Sequence, residues 1–441
     1  MILLEYWRRF PLAARRYILY HCLVTPLLFV WYIVPYLMLE SGLSVAEAGV
    51  IFTLGSAISA CLNFLVGRWL DRGCPNTIMA AISLFDGISY LLYYLAFTTR
   101  SIAWILMGAV VERISFGLYP VYAVYEYEAY PKEIREKVYV YHNVLPFASQ
   151  ALTYPLIGYI LGVVSPTREA MLAGLLIVAL LSFAYILLLL YWLPKITGTQ
   201  RVKEKETARG RIPREFYPVA LVLILIGFSY SIAPSLVLVN LFREALGGGL
   251  FEVSLYEAVA AIATIAFSLP LLRVRKELGK YMVALGLSLI CISNIILVLG
   301  KALYLALTSA LLASAGYAVM DPFFMDILFS KIPEEMKGTL LGGIAGVRRI
   351  INIASPAIAG FLADALLGEG CQHRGIAQAA FRNRRRPYRG CDLSIGQADH
   401  GRLAKPPHGA LCFAFASAHL VFARDKGLCL RICLLYTSPS P

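Results

Sequence analysis

A handful of ionisable side chains sit where a water-soluble protein would not leave them. Glu112 and Arg113 are adjacent in the middle of an apolar run, Arg348 and Arg349 lie near the middle of another, and Asp86 occupies the middle of a third. Asp321 falls towards the end of a fourth run, and Glu126 at the end of the run that holds Glu112 and Arg113. A charge at the centre of a bilayer costs about 2.5 to 3.5 kcal/mol on insertion scales, so these groups are candidates for binding a solute or carrying a proton. Adjacent residues on a helix point about 100° apart, so one member of each pair can face a cavity while the other finds a partner between helices. Arg113, with Gly117 one turn on, and Arg348, with Asn352 one turn on, are the cavity-facing choices; Glu112 is the expected proton carrier, with Asp321 second. A buried ion pair between Glu112 and an arginine, holding helices together, is the competing structural reading. Gln150 and Tyr230 supply neutral polar groups to the same cavity.

Other polar residues fit membrane helices of ordinary kind. His142, between Tyr139 and Tyr141, reads as an interfacial residue in an aromatic belt. His21 and Thr25 stand beside Pro26, and Ser229, Ser231 and Asn240 flank Pro234, where a proline frees backbone carbonyls and permits bending. No H-E-x-x-H, G-x-S-x-G or Walker A pattern occurs, so the sequence supports no enzymatic reading.

The elements that must hold these groups are membrane spans. Of 441 residues, 59% are hydrophobic and 15% charged, with a mean hydropathy of +0.69. Apolar runs fall at 17–39, 45–66, 77–97, 101–124, 138–163, 170–193, 216–241, 250–272, 281–299, 302–326 and 339–363. Each is long enough to cross a bilayer. The N-terminus and the five loops after even-numbered runs hold 22 Lys and Arg, the five opposite loops only 4, which predicts a cytoplasmic N-terminus. Cys22, Cys61, Cys74 and Cys291 are the only cysteines before residue 371, and they imply no disulfide framework.

A polar linker at 194–215 separates a six-span bundle, 1–193, from five recognisable spans at 216–365. At an offset of 202 residues Pro120 meets Pro322, Pro131 meets Pro333, Arg135 meets Lys337 and Gly158 meets Gly360. Ser44-Val-Ala-Glu47 similarly matches Ser254-Leu-Tyr-Glu257, and each tetrad predicts a capping box opening a helix. A duplicated helical unit explains these pairs.

Two stretches carry a resemblance to a family. Gly67-Arg68-Trp69-Leu70-Asp71-Arg72-Gly73 resembles the loop between the second and third helices of the major facilitator superfamily, although Gly73 comes one position early and Cys74-Pro75-Asn76 replaces the usual basic pair. Arg113, Gly117, Pro120, Pro131, Arg135, Pro155 and Gly158 follow the order of that family's elements in helices four and five. The resemblance covers residues 15 to about 365. It implies an all-α membrane protein of two pseudo-symmetric six-helix bundles, a central cavity, and a gating loop built on Gly67, Asp71, Arg72, Arg135 and Lys337. Asp71 is expected to sit near the start of the eleventh helix, around Lys337 to Leu340.

The pattern stops after Asp364, so the twelfth helix is missing or replaced. Residues 366–441 hold Arg384-Arg385-Arg386-Pro387, and residues 371–441 carry 11 Lys and Arg against 3 acidic residues. The change of composition in mid-topology reads as a frame-shifted or misassembled tail. A disordered tail, a basic nucleic-acid-binding arm and a metal site are its rivals, but cysteine spacings of 20, 21, 17 and 4 give no metal-ligand pair. The sequence therefore predicts a monomeric, proton-coupled secondary transporter of a small organic solute in the cell membrane, with no cofactor, metal or nucleic-acid partner. An excess of arginine over glutamate at mid-membrane favours an anionic solute. A solute sensor that keeps the fold without transporting is the alternative.

Overall fold

The computed structural model describes residues 7–72, 74–131, 134–195, 235–271, 278–299, 302–330 and 353–363, with short pieces at 216–224 and single residues at 274 and 350. All regular structure among the described residues is helical. Helix α1 runs Leu12–Glu40 and tightens to a 3-10 turn at Thr25–Phe29, where Pro26 removes a backbone donor. It is followed by α2 (Val45–Arg72), α3 (Pro75–Thr99) and α4 (Ile102–Leu118, continued as Pro120–Ala129). Next come α5 (Arg135–Tyr159) and α6 (Arg168–Leu187), each ending in a π-helical turn. The second half shows α7 (Ser235–Asn240), α8 (Leu250–Leu271), α9 (Gly279–Leu299), α10 (Leu303–Ser330) and α11 (Ile353–Ala363).

Seven of the described helices are long and apolar enough to cross a membrane. The structure thereby shows an all-α polytopic protein. Their outward faces carry large apolar side chains such as Ile177, Leu180 and Leu187 on α6, as lipid contact requires.

Local chemistry sets the helix ends. Ser44 and Glu47 form the expected capping box on α2, with Glu47 N–H donating to Ser44 Oγ at 3.1 Å and Ser44 N–H donating to Glu47 Oε2 at 2.8 Å. The matching tetrad does not cap α8. That helix begins at Leu250, Gly249 N–H donates to Glu252 Oε2 at 2.6 Å, and Glu257 lies two turns inside. The helix starts five residues earlier than the tetrad predicts because Gly247-Gly248-Gly249 supplies the break. The stretch from Gly67 is likewise not a loop: α2 continues through Arg72, and the chain turns only where Pro75 starts α3. Polar helix formers after an apolar run simply carry the helix beyond it.

The halves differ at their prolines. Tyr119 and Pro120 interrupt α4, whereas α10 runs through Pro322 unbroken. Within the first half, the ends of α6 and α3 are tied together by Asn76, whose Nδ2 donates to the carbonyls of Leu189, Leu193 and Pro194 at 3.3 Å each.

Contacts between the halves gather at the end of the bundle where α1 finishes and α2 begins. Gly49 of α2 meets the backbone of Pro356 in α11, and Gly360 of α11 meets the backbone of Val45. Gly158 and Gly162 of α5 meet Ser254 and Phe251 of α8. Small residues let backbones approach this closely in a membrane, where packing rather than water exclusion holds helices together. Ala357 N–H donates to Thr53 Oγ1 at 3.0 Å across the same seam.

Candidate functional site

Two polar places emerge, one inside the first bundle and one between the halves. The first is a cavity of about 280 Å³ enclosed by α1, α3, α4, α5 and α6. Tyr20, His21, Thr25 and Trp31 reach it from α1, Ser83 and Asp86 from α3, Tyr119, Tyr122 and Glu126 from α4, His142 from α5, and Ser182 and Tyr185 from α6. Among the described residues neither lysine nor arginine lines it.

Asp86 lines this cavity, and its Oδ1 is buried without a hydrogen bond among the described residues. In the apolar window of α3, 56% is buried, against 22% for α6, because α3 lies between α4 and α6. His142 turns into the bundle. It packs against Tyr17, His21 and Tyr130, with ring centroids 5.5, 4.7 and 6.0 Å away, and its Nδ1 stands 3.6 Å from Glu126 Oε1.

The second place is a hydrogen-bond cluster across the halves. Glu257 of α8 is buried, its Oε1 accepting from Tyr32 Oη of α1 at 2.6 Å and its Oε2 from Gln150 Nε2 of α5 at 3.0 Å. Three helices of two bundles thus converge on one carboxyl group. Tyr154 of α5 and Tyr256 of α8 belong to the same buried core as Tyr32. The sequence reading reached Gln150 but assigned Glu257 to a cap, since the S-x-x-E spacing matched the one at Ser44. The signal for its real place was its depth in an apolar run.

The remaining sequence candidates divide. Glu112 and Arg113 point to different neighbours, as adjacent helical positions must. Glu112 is buried against α3 and accepts from Tyr93 Oη at 3.2 Å. Arg113 lies over the rings of Phe52 and Phe116, 5.3 and 5.0 Å from their centroids, with Nε buried and unpartnered among the described residues. Among the described residues Arg113 does not line this first-bundle cavity, and its contacts are cation–π rather than an ion pair with Glu112. Asp321 is half-buried near the end of the apolar part of α10. Tyr230, Lys337, Arg348, Arg349 and Asn352 lie outside the described residues, as do the linker from residue 196 to 215, the tail, and the side chains of Asp71, Arg72 and Arg135; of Gly67 only its place within α2 is described. The case for an anionic solute rested on the three arginines, and only Arg113 can be placed.

The family model described as Major Facilitator Superfamily matches residues 17–356. No curated protein matches the chain. Among solved structures, a bacterial homologue of the iron transporter ferroportin in an inward-facing state aligns with TM-score 0.61 at 13% identity, covering 83% of this chain and 95% of that one. A bacterial homologue of the human lysosomal transporter Spinster, inward-facing and unoccupied, gives 0.59 at 17%, covering 83% and 86%. The human organic anion transporter MFSD10 gives 0.54 at 16%, covering 84% and 99%. Identities this low carry the fold and not the cargo.

Proposed function

We propose that this chain, which belongs to the major facilitator superfamily, moves a small organic solute across the cell membrane by alternating access, driven by a proton gradient. Its halves rock about the midplane, with the N-terminus in the cytoplasm, a reading that the lysine and arginine counts support.

The observation that carries this reading is the Glu257 cluster. As a carboxylate, Glu257 holds Tyr32 and Gln150 of the opposite half through charge-assisted hydrogen bonds, which are about twice as strong as neutral ones. Protonation removes the charge and turns one acceptor oxygen into a donor, so the same contacts weaken. A proton arriving at Glu257 loosens the seam; its departure restores it. That couples protonation to the rocking of the halves without a separate energy source. Glu112, whose described hydrogen bond stays within the first bundle, becomes a packing residue in this account.

The test is uptake of labelled small organic solutes into proteoliposomes with and without an imposed pH gradient. The intact chain is expected to accumulate its solute only with the gradient, and Glu257→Gln to equilibrate it without accumulation. Accumulation by Glu257→Gln equal to that of the parent overturns the coupling role. Solute counterflow separates transport from sensing, because a non-transporting receptor exchanges nothing across the membrane.

A further inference from the structure

We propose that His21, Glu126 and His142 form a binding site for a divalent first-row transition-metal ion within the first bundle. The three residues come from α1, α4 and α5, and one ligand atom of each lies within 4.8 Å of the others. Helices far apart in sequence have been brought together on this point. The His21 and His142 rings are 4.7 Å apart, and His142 Nδ1 is 3.6 Å from Glu126 Oε1. His21 Nε2 is buried with no hydrogen-bond partner among the described residues. An unpaired imidazole nitrogen inside a protein is costly, and a metal ion would satisfy it.

The donor set selects the cation. Two imidazole nitrogens and one carboxylate oxygen suit Zn²⁺, Co²⁺, Ni²⁺ or Fe²⁺, whereas Mg²⁺ and Ca²⁺ favour shells made of oxygen. Metal–nitrogen bonds of about 2.0 to 2.1 Å put neighbouring donors of a tetrahedral shell about 3.3 Å apart, so the His142–Glu126 pair is already close and small side-chain movements bring in His21.

The surroundings agree with that choice. Tyr17 Oη donates to Glu126 Oε1 at 3.0 Å, and its ring lies 4.5 Å from that of His21, so one side chain orients two ligands. Such outer contacts fix ligands in metal sites. The site opens on the 280 Å³ cavity, leaving room for water or a further ligand in the remaining coordination position. Glu126 and Asp86 give that cavity two carboxyl groups, a setting that favours a cation.

This site does not rest on the transport reading, and equilibrium binding tests it separately. The probe is Co²⁺, titrated into the purified full chain carrying no histidine tag, with the tail residues His373, His400, His408 and His419 replaced by alanine. We expect saturable visible absorption of nitrogen-coordinated Co²⁺, displaced by Zn²⁺. His142→Ala and Glu126→Gln should each weaken binding at least tenfold, and Tyr17→Phe, which leaves the ligands in place, about tenfold at the low end of outer-contact effects. Glu126→Gln preserves shape and keeps the test open if His142→Ala does not fold. Absence of saturable Co²⁺ binding by the parent chain, or Glu126→Gln binding as tightly as the parent, overturns the site.

Discussion

The two halves pack helices by different means. In the first, α1, α3 and α4 meet through tyrosines: Tyr17 stacks on Tyr125 at 4.8 Å, Tyr20 and Tyr122 bring their hydroxyls to 3.5 Å, and space remains beside them for a polar cavity. In the second, α9 and α10 meet through glycine. A Cβ on Gly286 would run into the carbonyl oxygen of Gly316, Ala310, Ala313, Ala315 and Ala318 are buried, and Ser293 and Ser309 join at 2.9 Å. Backbones in contact leave no room for a ligand, whereas large rings propped apart by their own edges do. In this account the first half holds the polar chemistry and the second moves as a block, with Glu257 at the seam between them.

The comparison can be broken most sharply at that seam. Glu257→Gln should reduce gradient-driven accumulation to simple equilibration, the largest functional loss expected for any single substitution, because a neutral amide keeps the shape and removes the titration. Tyr32→Phe, which deletes one 2.6 Å bond but leaves the carboxyl, should lower the transport rate and keep the gradient dependence.

The contrast in packing predicts unequal tolerance to added bulk. Gly286→Leu should lower stability by about 1 to 3 kcal/mol, since the opposing atoms are backbone and cannot move aside, and thermal unfolding in detergent will read it. Ser182→Leu adds similar volume beside the cavity; it should cost less than Gly286→Leu, and should weaken Co²⁺ binding if it reaches the ligands. Equal destabilisation by the two substitutions would mean that the cavity is as tightly packed as the glycine seam. At the small end, Ser44→Ala should cost about 1 kcal/mol through loss of the cap on α2, with no change in binding.

Much of the fold was legible because a bilayer imposes long apolar runs, and each run matches a described helix or part of one. Helix continuation past the membrane was not legible at Arg68 to Arg72, where polarity suggested a loop while helix propensity favoured another turn. The site was harder to read. Mid-membrane charge drew attention to Glu112, Arg113 and Asp86, but spacing along one helix cannot say which neighbour a side chain meets: Glu112 met a tyrosine, Arg113 two aromatic rings, and Asp86 the cavity. His21 and His142 are separated by 121 positions, Tyr32 and Glu257 by 225. Pairings at such separations come from the packing of whole helices, and no local pattern announces them.

The central claim, that protonation of Glu257 governs the seam between the halves, can be measured without knowing the solute. Spin labels at Ile102 and Tyr304, both exposed at the starts of α4 and α10 and one on each half, report the separation of the halves by double electron–electron resonance, in a background with the native cysteines replaced. The account predicts a short separation at high pH, a second, longer one that gains population as pH falls, and the longer one dominating at every pH in Glu257→Gln. A distribution that ignores pH, or a Glu257→Gln variant that still shifts with pH as the parent does, would contradict it.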